Sequence, residues 1–443
     1  TLAIDGAGAS FTPAASIGGL VGELDTGGAL AASVFEGAIN LTDVALETGI
    51  VSGPPPEVEA NYADIGGAVG ANFGRIDGVE TQVAISVSGD PDPDAPDIAP
   101  VVAGGLVGAN DGTLVASTTG GTITLTGRPR AAVPEPDPNA DDTFFADDVG
   151  GAVGINFGLG QISGIASDIG ITLSSGANAF AGGLVGTNAG SVAASVAMGD
   201  VGYTVEADFH EGSSFGGFVG ENTGSIADSR ATGAVVFSGP SPDEDEDGVN
   251  FVALGGFAGT NSGLIERTAA SGGVSGNSSG QPDFELLAGG HTGLNDGTVG
   301  DSYAVGAVFL ANTAQGAAGG FVGRDVSTTT VSDSYSTGTV AANTAQPTLG
   351  GFAGEVLGGG VSGSFWDIET SGLTTSAGGT GLTTFQLQDT ATFLGLAGWD
   401  FAGTWAPGAP GEGGAPSLYP QIYTIDPVVY VSPLTLAGIT YGD

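Results

Sequence analysis

The chain has 443 residues, of which 84 are glycine and 49 are aspartate or glutamate, while only six are basic, so its formal net charge is −43 at pH 7. This charge excludes nucleic-acid binding, which needs Lys and Arg to neutralise phosphates, and it disfavours anionic membrane surfaces. Cysteine is absent, which excludes disulfides and thiolate metal sites, and no apolar run reaches the roughly 18–20 residues of a membrane span.

A Gly-Gly-Φ-Φ-Gly motif, in which Φ is usually apolar, recurs ten times at intervals of 30 to 48 residues. A period in this range is typical of a repeat architecture. Seven copies continue as Gly-x-Asn-x-Gly, and strand-like runs come next, before a loop of variable length. The copies begin at Gly18, Gly66, Gly104, Gly150, Gly182, Gly216, Gly255, Gly289, Gly319 and Gly350. The shared asparagines are Asn72, Asn110, Asn156, Asn188, Asn222, Asn261 and Asn295.

Three short strands separated by turns predict one coil of a β-solenoid. We therefore expect an all-β, parallel β-helix of about ten right-handed coils, with glycines at the corners. A helical bundle lacks support because no 3.6-residue period is present, and repeats that do not alternate in direction disfavour an up-and-down barrel. The asparagines are expected to form a hydrogen-bonded ladder, with a ligand platform as the alternative. The ladder should fray at its ends, where Leu24, Asp325 and Val356 replace asparagine.

Side-chain alternation in the first copy, IGGLVG, predicts which residues are buried. Ile17 and Val21 should face the core, because the later residues equivalent to Val21 are almost all small and aliphatic. The ladder that begins at Leu20 is then either covered by loops or exposed as an apolar stripe. Two copies have alanine in this ladder and a phenylalanine after the asparagine, and we expect Phe73 and Phe157 to cover their alanines.

The acidic residues are concentrated in four segments that each precede a Gly-Gly pair. Equal position in the repeat means equal position around the coil, so these segments should project from one edge of the solenoid. In the last of them, Asp243, Asp245 and Asp247 are followed by glycine, as in the first half of a calcium loop, although Leu254 occupies the position of the bidentate glutamate. These three residues are candidate Ca²⁺ ligands, with a solvated charge run as the alternative. The segments are 52–64, 89–97, 134–148 and 241–248.

The repeat pattern ends near residue 363, and all three tryptophans lie beyond it. We expect residues 1–363 to form the solenoid and residues 364–421 to form a capping segment with large aromatic side chains, because an open coil presents unpaired strand edges. Thr383 and Gln386 predict the capping box of one short helix in this segment. Residues 422–443 alternate like the start of a following β-domain or a linker. The chain is therefore expected to be a segment of a longer protein.

The sequences GGLVGTNAGSVAASVAMGD, GGFVGENTGSIADSRATG and GGHTGLNDGTVGDSYAVG resemble the GLUG repeat. The segments SFWDIETSG, GTGLTT and GWDF are similar to the segment that commonly closes such arrays. The resemblance covers about residues 15–420. It implies a large secreted surface protein of the filamentous-haemagglutinin-like kind, with an adhesive or stalk role. The tail after Tyr423 looks like the opening of an MBG-type, bacterial Ig-like repeat.

We therefore expect an extracellular structural and adhesive shaft at the cell surface. Its partners would be further copies of itself, other surface or matrix proteins, or glycans. We expect no catalytic activity, because the arginines are scattered and the neighbouring carboxylates Asp367 and Glu369 are better explained as cap or turn residues. The alternative is a β-helical protein that binds or cleaves polysaccharides, since this fold also carries lyases and glycosidases.

Overall fold

The computed structural model describes residues 2–5, 15–42, 63–88, 101–127, 146–175, 178–205, 212–240, 251–279, 284–344, 347–407, 419–422 and 424. Most of these residues lie in strands that are stacked in parallel, so the predicted parallel β-helix is confirmed. Each coil contributes one strand to each of two ten-stranded sheets, which we call face one and face two, and then runs through a 25-stranded sheet, which we call face three.

Face one consists of the strands that end at the first glycine of each Gly-Gly pair, and face two of the strands that end at the asparagine position. The strands of face one are Ala15–Gly18, Ala63–Gly66, Val101–Gly104, Asp147–Gly150, Ala179–Gly182, Ser213–Gly216, Phe251–Gly255, Glu285–Gly289, Gln315–Gly319 and Thr348–Gly350. The strands of face two are Val21–Leu24, Val69–Asn72, Val107–Asn110, Val153–Asn156, Val185–Asn188, Val219–Asn222, Ala258–Asn261, Thr292–Asn295, Val322–Asp325 and Ala353–Val356.

Face three carries the rest of each coil, a short run after the asparagine turn and a second, usually longer run after a sharp bend. Its strands are Leu2–Asp5, Ala29–Ala31, Val34–Thr42, Arg75–Asp77, Glu80–Ser88, Thr113–Val115, Thr118–Thr126, Gln161–Ser163, Ala166–Ser175, Ser191–Ala193, Val196–Ala197, Val201–Val205, Ser225–Ala231, Val235–Pro240, Leu264–Ala270, Val274–Ser279, Thr298–Gly300, Tyr303–Ala304, Val308–Ala311, Val331–Ser332, Tyr335–Ser336, Val340–Ala342, Val361–Ser362, Phe365–Asp367 and Thr380–Leu382.

Equivalent residues of successive coils lie directly over one another. Gly66 pairs with Gly104, and Asn72 pairs with Asn110. Neighbouring strands in a sheet are about 4.8 Å apart, so ten coils extend for roughly 45 Å. The acidic segments join the end of face three to the start of face one, so the strands that anchor them lie along one edge. Apart from their last residues, the segments themselves lie outside the described residues.

Faces one and two turn back on each other at the Gly-Gly pair and form a wedge that points into the solenoid. A Cβ atom at Gly66 would lie 1.7 Å from the carbonyl oxygen of Val69. A Cβ atom at Gly67 would lie 2.0 Å from the carbonyl oxygen of Gly105 and 3.1 Å from the side chain of Val83 on face three. Only glycine allows backbones to approach this closely. The Gly-Gly pair is therefore the tip of an inward wedge and not an outer corner.

The wedge divides the interior into two hydrophobic cores. The first lies between face one and the second, longer runs of face three and includes Ile65 and Ile85. The second lies between face two and the short runs of face three and includes Val69 and Ile76. Burial of these aliphatic side chains in both cores is the main force that holds the coils together.

The bend at the wedge tip changes the predicted side-chain alternation. Ile17 packs against the first core and Val21 against the second, as expected. The ladder that begins at Leu20 is neither an exposed stripe nor covered by loops, because its later members are fully buried within the second core. The prediction that side-chain directions alternate without interruption through the Gly-Gly pair was therefore wrong. The expectation that Phe73 and Phe157 cover their alanines was also wrong, since these side chains are 43% and 42% exposed.

The C-terminal segment contacts the solenoid in two places, and only the first of them is the end of the last coil, where the aromatic cap was predicted. Residues 371–382 pair with the last coil, where the backbone N–H of Gly351 donates to Thr375 and the N–H of Ala377 donates to Ala353. Trp366 fills the interior beside these bonds. Trp399 and Trp405 lie in a third cluster, on the outer surface of face three, with their ring centroids 4.4 Å apart.

Two short helices and a small sheet complete the C-terminal region. The helices span Thr384–Leu387 and Thr390–Leu396. Thr383 and Gln386 form the predicted capping box, which is confirmed. Where one helix was predicted there are two, because the side chain of Asp389 caps a second helix. Trp405–Ala406 and Gln421–Ile422 pair as antiparallel strands.

Candidate functional site

The seven predicted asparagines lie one above another at the turn between faces two and three. Each side-chain amide donates through Nδ2 to the Oδ1 atom of the next coil, at 2.7–2.9 Å. All seven side chains are fully buried. In most coils the amide also contacts the carbonyl oxygen of a following glycine, as Asn295 does with Gly297 at 3.1 Å. Because these amides bond to one another and are closed to solvent, the ladder is a structural element and not a ligand platform.

The C-terminal end of the asparagine ladder is a carboxylate. Asn295 Nδ2 donates to Oδ1 of Asp325 at 2.9 Å, and the same oxygen accepts from the backbone N–H and the hydroxyl of Ser327. The expectation of fraying at Asp325 was therefore wrong, because a carboxylate supplies the acceptor that Asn295 needs. At the outer ends, Leu24 and Val356 pack their side chains against the second core.

A second polar ladder lies just after the sharp bend within face three, and the sequence analysis missed it. In six pairs of successive coils, a backbone N–H at this position donates to the side-chain hydroxyl at the same position of the next coil, at 3.0–3.2 Å. Each serine hydroxyl donates to the carbonyl two residues earlier. The residue before each ladder member has a positive φ of 46–57°. The ladder consists of Ser117, Ser195, Ser229, Thr268, Ser302, Ser334 and Ser364.

An aromatic stack runs through the second core next to the wedge tip. Phe218, Phe257, His291, Phe321 and Phe352 stack with centroids 4.6–5.0 Å apart and planes within 10° of parallel. Burial of the imidazole lowers the pKa of His291 to about 3, so this residue is neutral at pH 7.

The histidine in the stack is held by two hydroxyls. Its Nε2 and Nδ1 atoms lie 2.9 Å from the hydroxyl oxygens of Thr268 and Thr292. Because Thr268 belongs to the serine ladder, the imidazole ties the aromatic stack to that ladder. His291 is enclosed by protein and is therefore placed to support structure and not to bind a ligand.

The outer sides of faces one and two meet in a seam along the wedge. A face-one residue contacts a face-two residue of the next coil, and the chemistry of this contact changes along the axis. Val102 packs with Ile155, the Ser214 hydroxyl lies 2.6 Å from that of Thr260, and Arg324 bonds to Glu285.

Two seam carboxyls are poised for protonation near neutral pH. Burial raises the pKa of Asp148 to about 8, and the nearby charges of Glu221 and Asp147 add to this, while a hydrogen bond from Thr187 opposes it. Burial and the charge of Glu23 raise the pKa of Asp64 to about 7. Sequence reasoning missed both residues as individual sites, because the partner of Asp148 lies 39 residues away.

The predicted Ca²⁺ ligands Asp243, Asp245 and Asp247 lie outside the described residues, so this site stays a prediction. Within the described ranges, no cluster of three or more His, Cys, Asp or Glu residues could hold a metal ion. Asp367 accepts from the backbone of Glu369 and from the hydroxyls of Thr384 and Tyr419, and Glu369 accepts from the backbone of Thr384. These two carboxylates therefore anchor the C-terminal segment to the last coil.

The arginines of the described residues are separated along the solenoid and are paired with carboxylates in three coils. Arg75 contacts Asp77 at 2.7 Å, and Arg267 contacts Asp228 at 2.8 Å. Arg324 lies between Glu285 and Glu355 in the seam. The charge of each of these three guanidinium groups is thus directed at a neighbouring carboxylate of the same chain.

Comparison with known proteins gives a partial identification. Residues 211–236 match the family model of the GLUG motif. A stretch of 111 residues is 34% identical to a putative Gly-rich membrane protein of Evansella cellulosilytica, and the match covers 24% of this chain and 12% of that protein. No solved structure matches the chain. In the described ranges, neither helix has the length and apolar character needed to cross a membrane. The chain thus carries a GLUG motif, whereas its likeness to haemagglutinin-like adhesins and to an MBG repeat stays a prediction.

Proposed function

We propose that this chain is a rigid shaft within an extracellular structural protein, and that it holds an adhesive region away from the cell. The observation that carries the proposal is the asparagine ladder, in which every buried amide finds its partner in a neighbouring coil. Separating two coils would break this bond together with the strand pairing and the core contacts between them, so the coils hold together as one rigid unit. The GLUG motif supports the same reading, because it belongs to a repeat architecture.

Charge supports a surface role in a saline medium. With a net charge of −43, the chain needs a dense atmosphere of counter-ions to remain compact. The strands that anchor the acidic segments lie along one edge, so cations bound by these segments would bring shafts side by side without disturbing the coils. Self-association into fibres is thus expected to depend on divalent cations.

We infer a structural and not a catalytic role from the placement of the titratable groups. His291 is buried in the aromatic stack, and the raised-pKa carboxyls Asp64 and Asp148 lie two coils apart in the seam. General acid–base chemistry needs such groups around one accessible cavity. The alternative, polysaccharide cleavage, would release reducing ends from a panel of neutral and acidic polysaccharides, and that result would contradict this inference.

The shaft is tested by small-angle scattering and electron microscopy of the purified chain, with Ca²⁺ or with a chelator. We expect a rigid solenoid about 45 Å long, and association into longer fibres that increases with Ca²⁺. An Asp243→Asn/Asp245→Asn/Asp247→Asn variant separates site-specific association from charge screening. An expanded, flexible chain in both conditions would contradict the rigid shaft, and single particles in both conditions would contradict association into fibres.

Surface location needs a separate test. Antibodies raised against the chain should label intact producing cells, and mild external protease should remove the label. Label that appears only after the cells are opened would contradict an extracellular role. Labelling of a cytoplasmic protein in the same cells serves as the control for leakage.

A further inference from the structure

One outward row of face three carries hydrogen-bonding, uncharged side chains in eight successive coils. Its first six members are paired in register from coil to coil. In the seventh coil Ala311 occupies the paired position, and its neighbour Asn312 supplies the amide. We call this set the hydroxyl–amide row. It consists of Ser88, Thr126, Ser174, Thr204, Ser238, Asn277, Asn312 and Asn343.

The hydroxyl part of the row is widened by a parallel row two residues earlier in the strands. Ser86, Thr124 and Thr172 are paired with one another and lie on the same side of the sheet. Hydroxyls therefore repeat about 4.8 Å apart along the axis and roughly 6.8 Å apart along each strand. The result is a flat grid that presents both donors and acceptors.

The amide part of the row is already ordered by hydrogen bonds between coils. Asn312 Nδ2 donates to Asn277 Oδ1 at 2.9 Å, and Asn343 Nδ2 donates to Asn312 Oδ1 at 3.3 Å. In contrast to the buried ladder, Asn312 and Asn343 are at least partly exposed. A ligand therefore meets side chains whose positions are fixed before it binds, which lowers the entropic cost of binding.

Charge narrows the class of ligand. Neither row contains an Asp, Glu, Lys or Arg residue, although the chain has 49 acidic residues. Acidic segments 89–97 and 241–248 begin one and three residues after Ser88 and Ser238, and their nine acidic residues outnumber Arg128 and Arg130, which follow Thr126. Repulsion by these charges disfavours an anionic polymer or a second copy of this chain at the row. The surface instead suits a neutral partner that is rich in hydroxyl groups.

Another part of face three, at and beside the sharp bend, already contacts a chain segment that crosses several coils. The C-terminal segment lies on it farther along the axis, where Tyr335 donates to the carbonyl of Pro420 and Trp405 donates to Asp301. Thr424 reaches Asp228, which belongs to an earlier coil. The row lies eight to eleven residues farther along each coil than these contacts, so they show that the outer side of face three can carry an extended segment and do not involve the row itself.

We propose that the hydroxyl–amide row binds a neutral polysaccharide chain that lies along the axis of the solenoid. Sugar hydroxyls would pair with the grid of hydroxyls and amides, and successive coils would contact successive sugar units. This inference rests on the proposed shaft function and names what the shaft would hold. It requires no catalytic group and no metal ion.

The test measures binding to cellulose and mannan as neutral probes and to alginate as an anionic probe. The variant is Ser88→Ala/Thr126→Val/Thr204→Val, which removes three hydroxyls while almost preserving volume. The matched control is Thr113→Val/Ser191→Ala, which makes the same kind of change on the short runs of face three. We expect at least a tenfold loss of affinity for a neutral glycan in the variant, none in the control, and little dependence on salt.

Three outcomes would overturn the proposal: absence of binding to either neutral glycan, equal binding by variant and control, or binding that salt abolishes. Inhibition of ice growth that the variant loses would assign the grid to ice and would also overturn it. Thr204→Val alone replaces the triple variant if the latter fails to fold, as judged by urea unfolding. Failure of these tests with a rigid solenoid still seen by scattering leaves the proposed shaft standing, whereas an expanded, flexible chain contradicts the shaft itself.

Discussion

The asparagine ladder and the seam are built in opposite ways. The ladder repeats one residue through seven coils, and each amide bonds to the next one. The seam changes from an aliphatic contact at Val102 to a buried carboxyl at Asp148 and an ion pair at Arg324. A continuous ladder needs the same residue in every coil, because each member serves two neighbours. A seam contact involves two adjacent coils, so its chemistry varies freely.

The largest expected effect comes from breaking the wedge on which both regions depend. In Gly67→Ala, the new Cβ atom would lie 2.0 Å from the carbonyl oxygen of Gly105. We expect a loss of about 5 kcal/mol in the free energy of unfolding, or failure to fold, since backbone contacts relax poorly. Urea denaturation followed by circular dichroism measures this. Gly170→Ala is the control, because a Cβ atom there meets nothing within 4 Å, and an equal loss in the control would contradict the argument.

Interrupting the asparagine ladder alone should reduce the free energy of unfolding slightly less. Asn261→Leu removes the acceptor of Asn222 Nδ2 and the donor to Asn295 Oδ1. We expect a loss of about 4 kcal/mol, because buried groups without partners cost about 1–3 kcal/mol each. Urea unfolding of this variant is compared with that of Ser262→Ala on the exposed part of the same turn. A change below about 1 kcal/mol in Asn261→Leu would contradict a stabilising ladder.

The next effect in size is expected from removing the buried carboxyl group of the seam. The pKa of Asp148 is raised from 3.8 to about 8, so the stability it confers is complete below pH 3.8 and is lost as the pH rises toward 8. Between pH 5.5 and 7.5, the wild type should lose about 3 kcal/mol relative to Asp148→Asn, which stays neutral. Stability is measured by urea unfolding at each pH, with Asp296→Asn on an exposed turn as control. Parallel curves for the wild type and Asp148→Asn would contradict this.

The smallest effect concerns the one imidazole in the aromatic stack. The pKa of His291 is lowered from 6.5 to about 3, so the unfolded chain binds a proton that the folded chain excludes. The contribution of His291 to stability should therefore fall by about 2 kcal/mol between pH 7 and 5, opposite in sign to the contribution of Asp148. His291→Phe should remove this difference, which thermal unfolding at the two pH values would show. An unchanged dependence on pH in the variant would contradict a buried, neutral histidine.

The repeated features could be predicted from the sequence, and the varied ones could not. Gly-Gly pairs and asparagines recur at fixed places, so both the solenoid and the stacking of Asn72 on Asn110 can be inferred by counting. The direction of the bend at the Gly-Gly pair cannot be inferred from the sequence, because side-chain alternation alone does not distinguish an inward wedge from an outer corner. The pairing of Asp148 with Thr187 depends on an offset of one coil that only the structure reveals.

The serine ladder shows how a signal can be present and still be missed. Its serines are visible in the sequence, but the residue before them varies among alanine, aspartate, arginine and glycine. These share only a positive φ, which costs a non-glycine residue roughly 1–2 kcal/mol and is not expected from composition. Aligning the coils on the serine itself, whatever residue precedes it, would have found the ladder.

The direction of the asparagine ladder sets how the array could lengthen in evolution. Every amide donates toward the C-terminal coil, and Asp325 accepts without needing to pass a hydrogen on. Duplicating or deleting one of the coils that carry asparagine would keep each donor matched to an acceptor. The coil with Asp325 is different, because moving it inward would place an acceptor-only group in the middle of the series. It acts as a terminator, so tandem duplication can extend this array on one side of it only.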